Sequence, residues 1–146
     1  MEWKNNKENL GGIYIMSNKV AIIAANGGLF DAYKVFNIAT AAAASDKEVA
    51  IFFTFEGLNL IHKQGMQALE MPAGKEHFAV GFEKANIPSI PELIEMAQDL
   101  DVKFIACQMT MDVMGLTVED FVDDIEVGGA VTFLEFAKDA SPTLTF

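Results

Sequence analysis

Val20-Ala-Ile-Ile-Ala-Ala25 runs into Asn26-Gly27-Gly28, then into a helical spacing of apolar residues from Asp31 to Ala44, then into Val49-Ala-Ile-Phe-Phe-Thr-Phe55. Both flanking runs are apolar at consecutive positions, not alternate ones, which is the pattern of parallel strands covered on both faces. Between them Ala32, Val35, Phe36, Ala39, Ala42 and Ala43 share one helical face, and Ala41 to Ala44 suit close packing on a sheet. Asp31 stands near the start of that helix as a cap or a favourable N-terminal charge. Strand, helix and strand therefore form one βαβ unit, and the rest of the chain extends it.

After Glu56-Gly57 the segment from Leu58 to His62 reads as a short helix, and Gln64 to Pro88, with Gly65, Pro72, Gly74 and Gly81, reads as an irregular loop. Ser89-Ile-Pro91-Glu92 is a helix start: Ser89 caps, and Glu92 completes a capping box. Leu93, Ile94, Met96, Ala97 and Leu100 follow on one side, and Val102-Lys-Phe-Ile-Ala106 is a third strand with Cys107 at its end. Thr117 with Asp120 predicts a further helix to about Asp123. Gly128-Gly129 separates it from a last helix carrying Ala130, Phe133, Leu134 and Ala137, and Pro142 precedes a final strand, Thr143 to Phe146. Buried strands alternating with amphipathic helices predict an α/β three-layer sandwich around a mainly parallel, flavodoxin-like sheet.

With 146 residues, 51% hydrophobic and 21% charged, the chain has the size of one domain that folds without disulfide or metal. Residues 16–146 are expected to form it. Residues 1–15 carry charges without a signal-peptide core and read as a disordered or upstream extension, with Met16 an alternative start. Twelve Phe and eight Met raise the apolar content enough to supply a subunit interface as well as a core, so a homo-oligomer is expected. The formal charge of −11, with no basic run, argues against nucleic acid and against anionic membrane surfaces. No apolar stretch approaches the roughly eighteen residues of a membrane span. One cysteine and no secretory signal point to a reducing cytoplasm.

Ligands in such sheets gather at the carboxyl ends of the strands. Three loops leave those ends: Asn26-Gly27-Gly28, Phe55-Glu56-Gly57 and Cys107-Gln108-Met109-Thr110. A lone cysteine beside an apolar strand is usually a small buried hydrophobe. Between a strand end and a helix start it also lies near unpaired backbone N–H groups, which favour the thiolate. Without a resolving cysteine such a thiolate cannot cycle through an intramolecular disulfide; it can accept a sulfane sulfur, form a sulfenic acid or attack a carbonyl. His62 and His77 read as solvated or locally bonded side chains. Asn26-Gly27-Gly28 lacks the spacing of a dinucleotide fingerprint and the Lys of a P-loop, so an ordinary turn competes with an anion cradle. The acidic cluster Glu119, Asp120, Asp123, Asp124 and Glu126 reads as a solvated helix face; no metal and no cofactor are expected.

Ala106-Cys-Gln-Met-Thr-Met-Asp-Val-Met-Gly115 resembles the DsrE/DsrF-like superfamily, and within it the DsrE2-type branch often labelled peroxiredoxin-like. Phe52-Phe-Thr-Phe-Glu-Gly-Leu-Asn59 and Glu126-Val-Gly-Gly-Ala-Val-Thr-Phe-Leu134 support the resemblance, which extends from Lys19 onward. It implies an oligomeric protein of sulfur trafficking, in which Cys107 holds sulfur as a persulfide or thiosulfonate and exchanges it with small sulfur species and with TusA-like or rhodanese-like partners. Two departures stand out: Asn26-Gly-Gly-Leu-Phe-Asp31 replaces a loop that often reads Ser-Gly-Asp followed by Asp-Lys, and Glu56 replaces an aromatic residue. The expected function is a cytoplasmic sulfur carrier or transferase with Cys107 as nucleophile and Asn26, Gly27, Gly28, Phe55, Glu56, Gln108, Met109 and Thr110 around it. The alternative is a non-catalytic ligand-binding or scaffold protein with an inert cysteine. Peroxidase activity is disfavoured, because there is no resolving cysteine and no Thr-x-x-Cys arrangement: position 104 is Phe.

Overall fold

The computed structural model describes the backbone of residues 7–10 and 13–146, and side chains from Ser17 onward. Five parallel strands form its sheet: β3 (Lys19–Ala24), β4 (Glu48–Phe53), β5 (Lys103–Cys107), β6 (Ile125–Gly128) and β7 (Thr143–Thr145), in the spatial order β6-β5-β4-β3-β7. The expectation for residues 1–15 lies partly outside the described residues; within them β1 (Lys7–Leu10) pairs antiparallel with β2 (Ile13–Met16) in a separate ribbon.

The strands alternate between two cores. On one face Val20, Ile22, Val49, Ile51, Phe53, Phe104 and Ala106 meet α1 (Leu29–Ala44) and α3 (Ile90–Asp99). Phe36 of α1 lies 6.2 Å from the Phe53 ring and 5.9 Å from Phe104, and those two rings are 5.3 Å apart in an edge contact. Such aromatic contacts add to the area term that dominates burial. On the opposite face Ala21, Ala50, Phe52, Ile105 and Cys107 meet α5 (Ala130–Ala137), whose Phe133 stacks on Phe52 at 5.3 Å. Among the described residues, α5 is the helix that covers this second face.

The capping box at Ser89 forms as the spacing predicts: Glu92 N–H donates to Ser89 Oγ at 3.4 Å, and Ser89 N–H donates to Glu92 Oε2 at 2.7 Å. Two expectations need correction. Thr117 N–H does donate to Asp120 Oδ2 at 2.8 Å, but the turn it caps is a three-residue 3-10 element, Val118–Asp120, not a helix to Asp123. Phe121 is buried and pairs with His62 in an antiparallel bridge, while Lys63 N–H donates to Asp120 O and Val122 N–H to Ile61 O, so the chain is drawn out straight. It then enters β6, an edge strand the sequence reading leaves out. The segment Gln64 to Pro88 also contains a helix, α2 (Phe78–Lys84), with no buried residue of its own. Ring contacts hold it: Phe30 to Phe78 at 5.5 Å, and Tyr33 to Phe82 at 4.9 Å.

Candidate active site

The carboxyl ends of β3, β4 and β5 are pressed together, and glycine makes this approach feasible. A Cβ on Gly57 would stand 1.8 Å from Ala24 O, and one on Gly27 2.3 Å from Glu56 O. Gly57 begins the close contact within a 3-10 turn, Phe55–Leu60, and Asn59 Nδ2 ties that turn to Gly27 O at 3.2 Å. Both glycines thus set the spacing of the loops, a role the turn signals alone do not reveal.

Cys107 ends β5 and occupies the cap position of α4 (Gln108–Met114). It is 4% exposed and packs with Ile105, Phe52 and Phe133 on the α5 face. Burial pushes its thiol pKa up, the largest single influence. Hydrogen bonds from the Thr110 hydroxyl, the Thr110 N–H, the Thr54 hydroxyl and the Met109 N–H together outweigh burial, and the net shift is downward from the ordinary 9.0. The two N–H groups are available because first-turn amides have no partner within a helix.

Thr110 is the hinge of this arrangement. It is 1% exposed, its Oγ1 accepts the Phe55 N–H at 3.2 Å, and it lies 3.4 Å from Thr54 Oγ1. Phe55 holds a left-handed backbone, φ 47°, that costs a non-glycine residue about 1–2 kcal/mol. Its N–H bond to Thr110 is one of the contacts that maintain it. Thr54 is a site residue the sequence reading misses; it sits at a strand end, and no spacing or charge pattern marks it.

The expected pocket residues fall into two groups. Gly27, Gly28, Phe55 and Glu56 line a cavity of about 440 Å³ together with Leu58, Asn59, His62, Met114 and Leu116. Cys107 does not line it; Met109 and Thr110 belong with the cysteine, and the Phe55–Thr110 bond joins the two groups. Asn26 is exposed beside the cavity, and Gln108 points outward to Asp112 Oδ1 at 2.8 Å. His62, read from sequence as solvated or locally bonded, is locally bonded through Nδ1, which accepts N–H bonds from Gln64 at 3.2 Å and Gly65 at 3.1 Å. The acidic cluster is split between a turn and β6, where Glu126 faces Lys103 at 3.9 Å, and no group of metal-ligating side chains occurs among the described residues.

A family model for DsrE/DsrF/DrsH-like proteins matches residues 16–82 and 66–145. The chain belongs to that family. It is 36% identical to the sulfur carrier protein DsrE2 of Allochromatium vinosum, over 84% of this chain and 94% of that protein. It is 31% identical to YrkE of Bacillus subtilis, over 88% of this chain and 96% of that one. Among solved structures it resembles YchN of E. coli, with a TM-score of 0.60 at 19% identity over 90% of this chain and all of that one. MTH1491 of Methanobacterium thermoautotrophicum has a TM-score of 0.56 at 14% identity, over 88% of this chain and 98% of that one. The two structural neighbours share the fold. No helix among the described residues is long and apolar enough to cross a membrane.

Proposed function

We propose that this DsrE-like protein carries sulfane sulfur on Cys107 and hands it to an acceptor thiol. The observation that carries the reading is a buried cysteine at the end of β5 and the cap of α4, whose thiol pKa is held down by the Thr110 and Thr54 hydroxyls and the Thr110 and Met109 amides against the upward effect of burial. The thiolate attacks the sulfane sulfur of a donor; a bond forms between Cys107 Sγ and that sulfur, the donor's own S–S bond breaks, and the donor leaves with the electron pair. An acceptor thiolate then attacks the outer sulfur and releases Cys107 as thiolate, with no net oxidation. The relationship to DsrE2 supports the same chemistry. Exposed Met109, Val113, Val131 and Leu134, near the ends of β5 and β6, support docking of a second copy or of a TusA-like or rhodanese-like partner in a reducing cytoplasm.

The test is intact-protein mass spectrometry after exposure of reduced protein to thiosulfate, tetrathionate or polysulfide, with Cys107→Ser as control and a reductant chase. The expected result is a reductant-sensitive adduct on Cys107 alone, its mass separating persulfide from thiosulfonate. An adduct on the Cys107→Ser variant, or none on wild type, refutes sulfur carriage. A second reading has one observation in its favour: at 4% exposure Cys107 is buried deeply enough to be a structural hydrophobe in a ligand-binding or scaffold protein. Under that reading the native thiol resists alkylation until the protein unfolds.

A further inference from the structure

The cavity beside the cysteine has a chemistry of its own. Of the residues lining it none is Lys or Arg, and Glu56 supplies a carboxylate with no ion-pair partner among the described residues. The loop amide that an anion would seek is taken: Gly28 N–H donates to Asp31 Oδ2 at 3.2 Å. Asp31 does not line the cavity, but it brings a second carboxylate to Gly28, which does, and Lys34 stands 3.7 Å from it. In the Asn26-Gly27-Gly28 loop the Gly28 amide is therefore occupied by the protein's own carboxylate.

What remains is suited to a cation. Phe55 is half exposed and its ring stacks on no other aromatic among the described residues, so an aromatic face and a free carboxylate stand on one cavity wall. Ammonium groups are attracted to both. His62 adds one directional group. Because Nδ1 accepts two backbone N–H bonds, the neutral ring carries its hydrogen on Nε2, which leaves a donor for an acceptor atom of the ligand. Leu58, Met114 and Leu116 provide an apolar wall, and about 440 Å³ is within the range of small-molecule sites.

We propose that this cavity binds a small primary amine with an apolar body and one hydrogen-bond acceptor: ammonium against Glu56 and Phe55, acceptor on His62 Nε2–H, carbon chain along Leu58 and Leu116. The class includes amino alcohols and aminothiols, and the assignment stands independently of sulfur carriage. The protein's net charge of −11 favours approach of the same ligands.

The experiment titrates isotopically labelled Cys107→Ser protein, which removes thiol chemistry, with 4-amino-1-butanol, butylamine, 1-butanol and butyrate, and follows the Gly27 and Gly28 amides and the His62 ring by NMR. Expected is saturable binding in the order amino alcohol, amine, alcohol, with butyrate weakest. Glu56→Gln should weaken the amines about three- to fivefold and leave butanol unchanged. His62→Phe should remove the advantage of the amino alcohol over butylamine. Butyrate binding as well as the amines, amine affinity unaltered by Glu56→Gln, or no saturable shift in those signals each overturns the proposal. A failure of wild-type protein to load sulfur overturns the sulfur-carrier reading and leaves this one standing.

Discussion

Replacing Thr110 by Val deletes one hydroxyl from beneath the cysteine while keeping the side-chain shape. In the wild type that hydroxyl helps hold the Cys107 thiol below its ordinary 9.0 against the opposing effect of burial, so its loss must move the thiol pKa upward. A hydrogen bond to a charged group contributes about 1.5–3 kcal/mol. Below the thiol's titration range, the thiolate population and every rate proportional to it should therefore fall roughly ten- to a hundredfold. The assay is iodoacetamide alkylation of Cys107 as a function of pH. The midpoint of that profile reports the thiol, and its alkaline plateau reports access to a buried sulfur. Thr110→Val should shift the midpoint toward alkaline pH with little change in plateau, and Thr110→Ser, which restores the hydroxyl, should return it. The variant also orphans the Phe55 N–H, which costs about 1–3 kcal/mol of stability, so denaturant unfolding is measured alongside. Superimposable profiles for wild type and Thr110→Val would refute the assignment of Thr110 to the thiolate.

Gly57→Ala places a Cβ against the Ala24 carbonyl, where backbone must move, and should lower the urea midpoint sharply while Gly81→Ala, with open space around it, does not. Truncating Phe36 to Ala at the centre of the three-ring core should cost about 3–5 kcal/mol by chemical denaturation; a loss under 1 kcal/mol would mean the core collapses onto the gap. A depressed thiol contributes stability that is absent below its folded pKa, grows as pH rises through it and is complete above the unfolded value of 9.0. Wild type should accordingly gain on Cys107→Ser across that alkaline window, and parallel stability curves for the two would contradict it. Glu92 is held below the ordinary 4.5 by its bonds from Ser89, so its contribution is present above that value and disappears as pH falls below it; Glu92→Gln should abolish this acid-side dependence.

The βαβ unit was legible because each of its strands carries five consecutive apolar residues behind a charged first one, and its helix runs for 16 residues with one buried face. Strong local signals and the tertiary fold agree there. The Thr117 capping box shows the opposite case: a box determines how a turn begins, and the burial of Phe121 and its bridge to His62 determine where it stops. Ile125-Glu-Val-Gly, four residues at the sheet edge behind Asp124 with φ 59°, is too short and too mixed to announce a strand. Helix α2 depends on rings contributed by α1, a contact no local pattern records. In the candidate site, the placement of Cys107 at a strand end was legible because it closes an apolar run. Thr54 and the free edge of His62 were not, since both matter only through partners brought from other loops.

The composition of the cysteine's surroundings argues for holding sulfur over hydrolysis. Every group that lowers the Cys107 pKa presents a hydrogen to the sulfur: two hydroxyls and two amides. No His, Asp or Glu is among them, and His62 spends Nδ1 on Gln64 and Gly65. Acyl-transfer chemistry needs a base beside its nucleophile to take and return a proton. Sulfane transfer needs only an anion that is stable before the sulfur arrives and again after it leaves. A ring of donors meets that demand in both states, because the terminal sulfur of a persulfide is itself an anion when deprotonated. On the proposed function, burial against Phe52 and Phe133 would keep water and stray thiols from a sulfur carried on Cys107. Opening that apolar cover, by Phe133→Ala, should shorten the lifetime of the Cys107 adduct in the presence of free thiol, measured by timed intact-mass spectra. An adduct that survives equally long in the opened variant would place its protection elsewhere than in the α5 face.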